Sequence, residues 1–335
     1  MPLKPIAANE GNEKKIYLLK PRGFCAGVVR AIDVVRIALN EYGPPVYVRK
    51  EIVHNKHVVD ELRQAGAIFV EELDEVPMGA RAIYSAHGVS PDVRKEALQR
   101  GLQVIDATCP LVTKVHGEAI KFARESYTIV LIGHKDHDEV TGTLGEAPTR
   151  SLLVESVEDV DALRVPQDIP DASRVAYLTQ TTLSLDETRD IMARLQERFP
   201  LIKGPKTQDI CYATENRQMA VKGVASFCDL VLVVGSANSS NSKRLVEVSE
   251  KFGVRGYLVN DWSDVNPQWL DGIKNIAVTA GASAPEHLVQ ELVEALQNQG
   301  FTALEEVELV EEDVRFSLPA ELLHAPAALT TISAR

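Results

Sequence analysis

One local arrangement occurs three times in this chain, and it constrains the fold more than any other feature of the sequence. A short apolar run, a polar turn, a cysteine and a helix-forming segment follow one another around Cys25, Cys109 and Cys211. Short runs of Val, Ile and Leu that alternate with helical patterns are typical of α/β units with parallel strands. The sequence therefore predicts three similar α/β modules.

Further landmarks follow each cysteine in the same order. A second apolar run leads into a polar loop 29, 28 and 28 residues after the three cysteines, at His54, His137 and Ser239. A later strand leads through a turn of small residues into a helix, for which the predicted N-caps are Ser90, Ser184 and Ser283. Matched landmarks in one order are not expected of an ordinary alternation of strands and helices.

The repeat also predicts the domain organisation. We expect a flexible N-terminal tail over 1–14, α/β modules over 15–109, 110–207 and 208–296, and a C-terminal extension over 297–335. The strand before each cysteine is a candidate member of the preceding module's sheet. The predicted fold class is α/β, with the parallel sheets of the three modules arranged around a pseudo-threefold axis, which would bring the three cysteines to one centre.

Composition restricts the class of protein and its partners. The 335 residues are 45% hydrophobic and 25% charged, which is ordinary for a globular protein and excludes collagen and coiled coil. The 36 basic and 48 acidic residues give 36 − 48 = −12, which argues against nucleic acid as a partner. Apolar stretches are strand-sized and the N-terminus has no hydrophobic region, so we expect a cytoplasmic protein with no membrane partner.

Four cysteines in a cytoplasmic chain are more consistent with metal binding or catalysis than with disulfides. Cys25, Cys109 and Cys211 each precede a helical segment, whose positive end favours the thiolate, the form that binds metals. Thiolates select zinc, copper(I) or iron–sulfur clusters, and three of them leave one metal position open. Cys228 lies in an apolar run outside the repeat and is predicted to be a buried core residue.

Polar residues collect where the predicted strands end, which is where open α/β sheets bind ligands. The loop SANSSNS over 236–242 offers hydroxyls, an amide and backbone N–H groups at the start of a helix, which favours an anion such as a phosphate or diphosphate. Helix capping explains any single loop equally well. The candidate site residues besides the cysteines are His54, His87, His137, Glu139, Thr181, Ser239, Ser240, Asn241 and Ser283.

Glu139 is the predicted proton donor, a role that requires a raised pKa or a relay through the ligand. Asp136 and Asp138 are weaker candidates for this role. The remaining histidines are expected to be merely solvated, namely His57, His116 and His287.

Between about Ile16 and Leu318 the chain closely resembles the 4-hydroxy-3-methylbut-2-enyl diphosphate reductase family (LytB/IspH). The resemblance lies in the motifs PRGFCAGV, VHN, SAHGVS, DATCPLVTKVH, TQTTLS, DICYATENRQ, VVGSANSSNS and TAGASAP. It implies that Cys25, Cys109 and Cys211 hold a [4Fe–4S] cluster whose fourth iron is open to the substrate hydroxyl. Where the family commonly has His-Pro-Glu, this chain has Asp138 between its His and Glu, which predicts a slight shift of Glu139.

The same resemblance implies the reaction and the remaining roles. The diphosphate would be held by His54, His87, Ser239, Ser240, Asn241 and Ser283. His137 and Thr181 would line the pocket, and Glu139 would be the proton source. Two electrons and protonation would remove the allylic hydroxyl as water in the last step of the non-mevalonate (MEP) isoprenoid pathway, giving isopentenyl and dimethylallyl diphosphate. The electrons would come from a ferredoxin or flavodoxin system.

Three other classes of protein stay open on the residues alone. A zinc hydrolase built on His134, His137 and Glu139 would leave the repeated cysteines unexplained. A cluster-containing redox sensor or electron carrier needs the cysteines but no anion site. An aconitase-like hydro-lyase uses a cluster with an open iron, but its ligands typically include a CxxC pair, which this sequence lacks.

Overall fold

The computed structural model describes residues 13–322. The predicted tail over 1–14 lies outside the described residues except for its last two positions, and so does the end of the predicted C-terminal extension. Between residues 13 and 322, no helix is both long enough and apolar enough to cross a membrane. The cytoplasmic location expected from the sequence stays a prediction.

Strands and helices alternate along the described chain, as the apolar periodicity predicts. The strands are β1 Lys15–Lys20, β2 Val46–Arg49, β3 Ala67–Val70, β4 Arg81–Tyr84, β5 Gln103–Asp106, β6 Thr128–Ile132, β7 Ser151–Val154, β8 Val175–Thr179, β9 Leu230–Val234, β10 Arg255–Val259, β11 Asn275–Ala280 and β12 Ala303–Glu308. The α-helices are α1 Ala26–Tyr42, α2 Lys56–Gln64, α3 Pro91–Gln99, α4 Pro110–Arg124, α5 Asp138–Glu146, α6 Val157–Ala162, α7 Leu185–Arg198, α8 Tyr212–Val224, α9 Ser240–Lys251 and α10 Glu286–Asn298. Short 3₁₀ turns cover Leu73–Glu75, Trp262–Asp264, Pro267–Leu270 and Ala320–Leu322.

The strands form three sheets in which every pairing of named strands is parallel. The strand orders are β10-β9-β11-β1-β12, β3-β2-β4-β5 and β7-β6-β8. Parallel strands carry helices on both faces, so central strands such as β6 and β9 are buried along their whole length. The predicted α/β class with three parallel sheets is confirmed.

The segment before each cysteine pairs with the sheet of the preceding module, as a strand in two cases and as a single bridge in the third. β1, which precedes Cys25, pairs with β11 and β12 near the end of the chain. β5, which precedes Cys109, pairs with β4. Before Cys211, Lys203 forms an isolated parallel bridge to Ala176 in β8. The predicted exchange of a strand is therefore confirmed for Cys25 and Cys109, whereas the segment before Cys211 contributes only a bridge; the module boundaries stay a prediction.

The described chain divides into two compact units. Unit 1 combines 13–25, 54–58 and 212–314 and contains the five-stranded sheet. Its core has two layers: α10 packs on one face of the sheet through Leu288, Leu292 and Leu296, and α8 and α9 cover the other face. Each fully buried aliphatic side chain stabilises the fold by about 1.5–3 kcal/mol.

Unit 2 combines 26–53, 59–211 and 315–322 and contains the four-stranded and three-stranded sheets. Separate apolar clusters line the two faces of the three-stranded sheet, one built on α7 and the other on α4.

His116 lies on the inner face of α4, so the expectation that it is solvated is wrong. Its ring is 6% exposed, its Nδ1 lies 2.8 Å from Glu146 Oε1, and burial lowers its pKa.

Candidate functional site

Every candidate polar residue follows the carboxyl end of a parallel strand, as predicted. His54 follows β2 and His87 follows β4, while Glu139, Thr181 and Ser283 follow β6, β8 and β11. The loops after these strands and the first turns of the next helices therefore supply the candidate side chains. The candidate residues divide between the two units.

The three repeated cysteines have the same backbone setting. Each directly precedes a helix, and each donates its backbone N–H to the carbonyl of an equivalent loop residue after another strand. The distances from nitrogen to oxygen are 3.1 Å from Cys25 to Ala282, 3.0 Å from Cys109 to Ala86 and 3.0 Å from Cys211 to Thr181. These bonds fix the start of each helix, and the sequence repeat predicts the equivalence.

The fourth cysteine differs from the other three. Cys228 is buried in the apolar layer between α8 and the sheet of unit 1, and burial raises the pKa of its thiol far above the ordinary value. Cys25, Cys109 and Cys211 are partly exposed, and none of the four cysteines in the described chain is in a disulfide. The prediction that Cys228 is a core residue is confirmed.

In unit 1, a network of hydroxyl groups begins α9. Ser239 is the N-cap: its Oγ accepts the Ser242 backbone N–H at 3.3 Å and the Ser242 hydroxyl at 3.0 Å. Ser240 follows at the first helical position. The ends of β9 and β11 pack so closely on this turn that a Cβ at Gly235 or Gly281 would overlap Ser242.

Asn241 joins this turn to the loop that holds Cys25. Its Oδ1 accepts the Ala282 N–H at 2.9 Å, and its Nδ2 donates to Thr214 Oγ1 at 3.3 Å. Ala282 in turn accepts the Cys25 N–H. The side chain of Asn241 is buried, so this amide is a fixed part of the start of α9 rather than a mobile surface group.

The segment with His54 is held by the same loops of unit 1. The Ser283 hydroxyl donates to the His54 carbonyl at 2.9 Å, and the Lys56 N–H donates to Ser236 Oγ at 3.3 Å. Ser283 is therefore not the N-cap of α10, and that prediction is wrong. Pro285 occupies the cap position, because the helix begins two residues later than the spacing suggested.

In unit 2, Glu139 is a buried carboxyl group at the start of α5. The residue is 2% exposed, and its two oxygens accept the Thr181 N–H at 2.7 Å and the Thr181 hydroxyl at 2.9 Å. Burial raises the pKa of Glu139 to about 7, the two bonds from Thr181 act to lower it, and the negative charge of Asp209 adds to the increase. The group is thus half protonated near neutral pH.

Two histidines lie together beside this carboxyl group. The His137 and His87 rings meet edge to face, with centroids 5.9 Å apart and an angle of 87°. His137 is the N-cap of α5, and its Nδ1 accepts the Glu139 backbone N–H at 3.2 Å. His87 Nδ1 lies 3.3 Å from Ser85 Oγ. Because Nδ1 of His137 accepts the Glu139 N–H, a neutral His137 ring carries its hydrogen on Nε2.

The residue between this His and Glu does not disturb the backbone. His137 has φ −76° and ψ 133°, the extended conformation that a following proline would also require. Asp138 lies in the first turn of α5, where a negative charge is favourable. His137 therefore keeps the backbone conformation that the family motif would impose at this position.

Sequence reasoning missed two buried polar residues of unit 2. Gln180 accepts the His134 N–H at 3.0 Å through Oε1 and donates to Thr182 Oγ1 at 2.9 Å through Nε2. Asp209 accepts the Thr179 N–H at 2.9 Å and pairs with Lys114 at 2.8 Å. Both lie inside motifs already noted, next to Thr181 and Cys211. A polar residue beside a candidate site residue was the available signal.

The histidines set aside as solvated divide three ways. His287 is exposed, as expected. His57 is half-exposed and its Nε2 lies 3.4 Å from Asp261 Oδ2, while His116 is buried as described above. The two remaining weaker candidates, Asp136 and Asp138, lie at the surface loop before α5 and in its first turn.

The residues fit an iron–sulfur cluster as far as the donor set can show. Three thiols that are neither deeply buried nor oxidised to disulfides precede helix N-termini, which is the setting that favours thiolate ligands. The rival zinc site fits less well. The Glu139 carboxylate is bonded to Thr181 and the His134 ring lies 3.3 Å from Gln180 Oε1, so these two side chains are engaged with different partners.

Comparison with known proteins gives one consistent family. Residues 16–297 match the family described as LytB protein, a range that includes all four cysteines and every candidate site residue. A relative from Leifsonia xyli subsp. xyli is 55% identical over 311 residues, which is 92% of this chain and 91% of the relative. One from Bradyrhizobium diazoefficiens is 54% identical over 308 residues, covering 92% of this chain and 99% of the relative. Both carry the name 4-hydroxy-3-methylbut-2-enyl diphosphate reductase.

Solved structures agree with these relatives. The E-1-hydroxy-2-methyl-but-2-enyl-4-diphosphate reductase of Plasmodium falciparum aligns with a TM-score of 0.90 and 44% identity, over 93% of this chain and 98% of its own. A second structure, described as the terminal enzyme of the non-mevalonate pathway, aligns with a TM-score of 0.61 and 31% identity, over 85% and 99% of the two chains.

Proposed function

Because the chain belongs to the LytB protein family, we infer that it is an oxidoreductase that reduces 4-hydroxy-3-methylbut-2-enyl diphosphate in the terminal step of the non-mevalonate pathway. The reaction breaks the allylic C–O bond, consumes two electrons and two protons, and releases the hydroxyl oxygen as water. The products are isopentenyl diphosphate and dimethylallyl diphosphate. The substrate is a small diphosphate, which agrees with the anion site predicted from the polar loops.

The family is one of iron–sulfur enzymes, and we propose that Cys25, Cys109 and Cys211 are the protein ligands of a [4Fe–4S] cluster whose fourth iron has no protein ligand. When bound, such a cluster supplies electrons singly and an iron that polarises the substrate hydroxyl. The shared backbone setting of the three cysteines supports this assignment. The buried, apolar setting of Cys228 supports leaving it out of the proposed ligand set.

The diphosphate is assigned to the start of α9 in unit 1. Ser239, Ser240 and Asn241 occupy the cap and the first two helical positions, where backbone N–H groups and the helix dipole favour negative charge. Ser283 and His54 come from loops tied to this turn by hydrogen bonds. These residues bind the diphosphate oxygens and hold the allylic end in one orientation.

His87 of unit 2 contributes a further ring nitrogen to the diphosphate, so that the binding set is His54, His87, Ser239, Ser240, Asn241 and Ser283. His137 and Thr181 line the pocket beside the allylic group. Thr181 has a second role that its contacts support directly, because its N–H and hydroxyl hold the Glu139 carboxyl group.

Glu139 donates the proton. A donor must be protonated at the working pH and must have a pKa near it. The pKa of Glu139 is raised to about 7, chiefly by burial. This environment is the single structural observation that carries the mechanism, since a solvated glutamate would be ionised and unable to donate.

The electron donor is proposed from the family resemblance alone. A ferredoxin or flavodoxin system supplies single electrons, which suits a chain whose sequence shows no nucleotide-binding glycine fingerprint.

The test starts with anaerobically purified protein. We expect about four irons and four acid-labile sulfides per chain, an absorption change on adding the hydroxylated allylic diphosphate, and products only when a one-electron reductant is present. Cys211→Ala should remove most of the iron and all turnover, whereas the matched control Cys228→Ala should keep both.

Three results would contradict the proposal. Stoichiometric zinc without sulfide would favour the hydrolase. Turnover without any reductant would favour a hydro-lyase. A loaded cluster with no spectral response to the diphosphate would favour an electron carrier.

A further inference from the structure

Each helix that follows a repeated cysteine carries a basic residue at nearly the same position. Arg30 on α1, Lys114 on α4 and Arg217 on α8 lie five, five and six residues after Cys25, Cys109 and Cys211. A basic residue repeated at one position of three helices suggests a shared role, which its contacts define.

Arg30 binds backbone carbonyls just before Cys109. Its guanidinium donates to Thr108 O at 3.1 Å, to Asp106 O at 3.4 Å and to Ser317 O at 2.8 Å. The residue is 9% exposed. Burial lowers its pKa, and the negative charge of Asp106 acts against that change.

Lys114 makes the equivalent contacts just before Cys211. Its Nζ donates to Thr207 O at 2.5 Å, to Gln208 O at 3.1 Å and to Asp209 Oδ1 at 2.8 Å. The Asp209 carboxylate is fully buried and also accepts the Thr179 N–H. One ammonium group therefore uses all three of its donors on the segment that leads into Cys211.

Arg217 completes the set just before Cys25. Its guanidinium donates to Gly23 O at 2.8 Å and to Ala213 O at 2.9 Å, and it pairs with Glu312 at 3.0 Å. Arg217 is the largest fully buried side chain of the described chain. Gly23 has φ +67°, a conformation that favours glycine and turns its carbonyl towards the guanidinium.

The three contacts close a cycle. The helix after Cys25 binds the loop before Cys109, the helix after Cys109 binds the loop before Cys211, and the helix after Cys211 binds the loop before Cys25. Each link joins parts of the sequence that are far apart. A cycle in which every cysteine is tied to the next is what a site of three ligands from three modules needs for fixed geometry.

We propose that Arg30, Lys114 and Arg217, here called the bridging cations, position the three cysteine ligands of the cluster by tying each cysteine-bearing helix to the loop of the next cysteine. This inference rests on the proposed function, because it assumes that these cysteines hold one cluster. The bridging cations are positioning residues: they act on the cluster through the backbone of its ligands. Their hydrogen bonds are charge-assisted and therefore stronger than bonds between neutral groups.

Lys114 offers the cleanest test, because its side chain is partly exposed and, within residues 13–322, its only hydrogen-bond or ion-pair partner outside this segment is Glu118 on its own helix. Anaerobic holoprotein is challenged with an iron chelator, and the rate of iron release is measured. We expect Lys114→Met to release iron roughly 10-fold faster than the wild type, as for other residues that support metal ligands. Lys114→Arg should restore most of the wild-type rate, since a guanidinium can also donate to several carbonyls.

Two controls separate positioning from general loss of stability. Lys121→Met makes the same change on an exposed face of the same helix and should leave iron release unchanged. Hydrogen exchange of the β6 and β7 amides in the holoprotein should be equal in Lys114→Met and the wild type, because within residues 13–322 Asp209 is hydrogen-bonded to Thr179 in β8 and not to these two strands. The electron paramagnetic resonance spectrum of the reduced cluster should broaden in Lys114→Met and return towards the wild-type shape in Lys114→Arg.

The inference is overturned if Lys114→Met releases iron at the wild-type rate, or if β6 and β7 lose protection in proportion to the iron. Arg30→Gln is the second variant, and wild-type retention of iron there would also count against the cycle. A wild-type protein that binds no iron would overturn the proposed function as well. If the wild type binds iron and is active, and the variants release iron at the wild-type rate, only this inference is lost and the proposed function stands.

Discussion

The starts of α5 in unit 2 and α9 in unit 1 are built alike, but only one of them carries an acid. His137 and Ser239 are the N-caps, and the second helical residue is Glu139 in one case and Asn241 in the other. Each of these side chains accepts the N–H of a loop residue whose carbonyl accepts a cysteine N–H. The same backbone framework thus accepts a carboxylate or an amide.

This difference shows which part of the Glu139 side chain the fold needs and which part only the proposed reaction needs. An amide oxygen is sufficient to hold the loop, as Asn241 holds Ala282 at 2.9 Å, so the carboxyl group of Glu139 is not required for the fold at this position. Burying a carboxyl group is costly unless it is protonated or paired. Burial raises the pKa of Glu139; the proposed proton donation would explain why a carboxyl group stands here, and the proposed diphosphate site would explain why Asn241 is neutral.

The largest effect is expected for Glu139→Gln, which makes α5 resemble α9. The amide still accepts the Thr181 N–H, but it cannot supply a proton, so turnover should fall by roughly 10²- to 10⁴-fold. Iron content and the substrate-induced absorption change should stay at wild-type levels. Turnover within a factor of ten of the wild type would remove Glu139 from its proposed role.

The same carboxyl group should make stability depend on pH. Its pKa in the folded chain is about 7, above the ordinary value of 4.5, so the folded state binds more protons than the unfolded state between these values. The free energy of unfolding should therefore fall by about 3 kcal/mol as pH rises from 4 to 8. Urea unfolding of wild type and Glu139→Gln at several pH values isolates this contribution. Parallel curves for the two proteins would contradict the raised pKa.

Asn241→Asp tests the comparison in the opposite direction. A carboxylate at the start of α9 still accepts the Ala282 N–H, but it repels the diphosphate, so substrate affinity should fall by roughly 10- to 100-fold. Turnover at saturating substrate should change much less. Asn298→Asp is the matched control at the exposed end of α10, and an equal loss of affinity in that variant would show that α9 has no special role.

The smallest effect is expected for Asp138→Pro. His137 already has the extended conformation that precedes proline, and a proline is tolerated at the first helical position. The variant loses a favourable negative charge at the helix start, which lowers stability. Proline also reduces the entropy of the unfolded chain, which raises stability. The two effects should nearly cancel, so the free energy of unfolding should change by no more than about 0.5 kcal/mol. The melting temperature and the turnover of Asp138→Pro are measured beside the wild type. A clear change in both would show that Asp138 displaces Glu139.

The sequence was most informative where the relevant interactions are local. Ser90 and Ser184 are N-caps as predicted, because a cap bonds a residue only three positions away. It was wrong where a partner comes from another element. Ser283 bonds the His54 carbonyl instead of capping α10, and His116 is buried against Glu146, which lies 30 residues further along the chain.

The repeat by itself predicted the α/β class, the pairing of the strands before Cys25 and Cys109 with the preceding module, and the burial of Cys228, because these follow from periodicity and spacing along the chain. Only the tertiary structure decided that the pKa of Glu139 is raised to about 7, since it depends on burial and on Thr181 and Asp209. The same holds for the contact of Arg217 with Gly23, 194 residues away. Electrostatic energies depend on distance and surroundings in space, and spacing along the chain does not specify either.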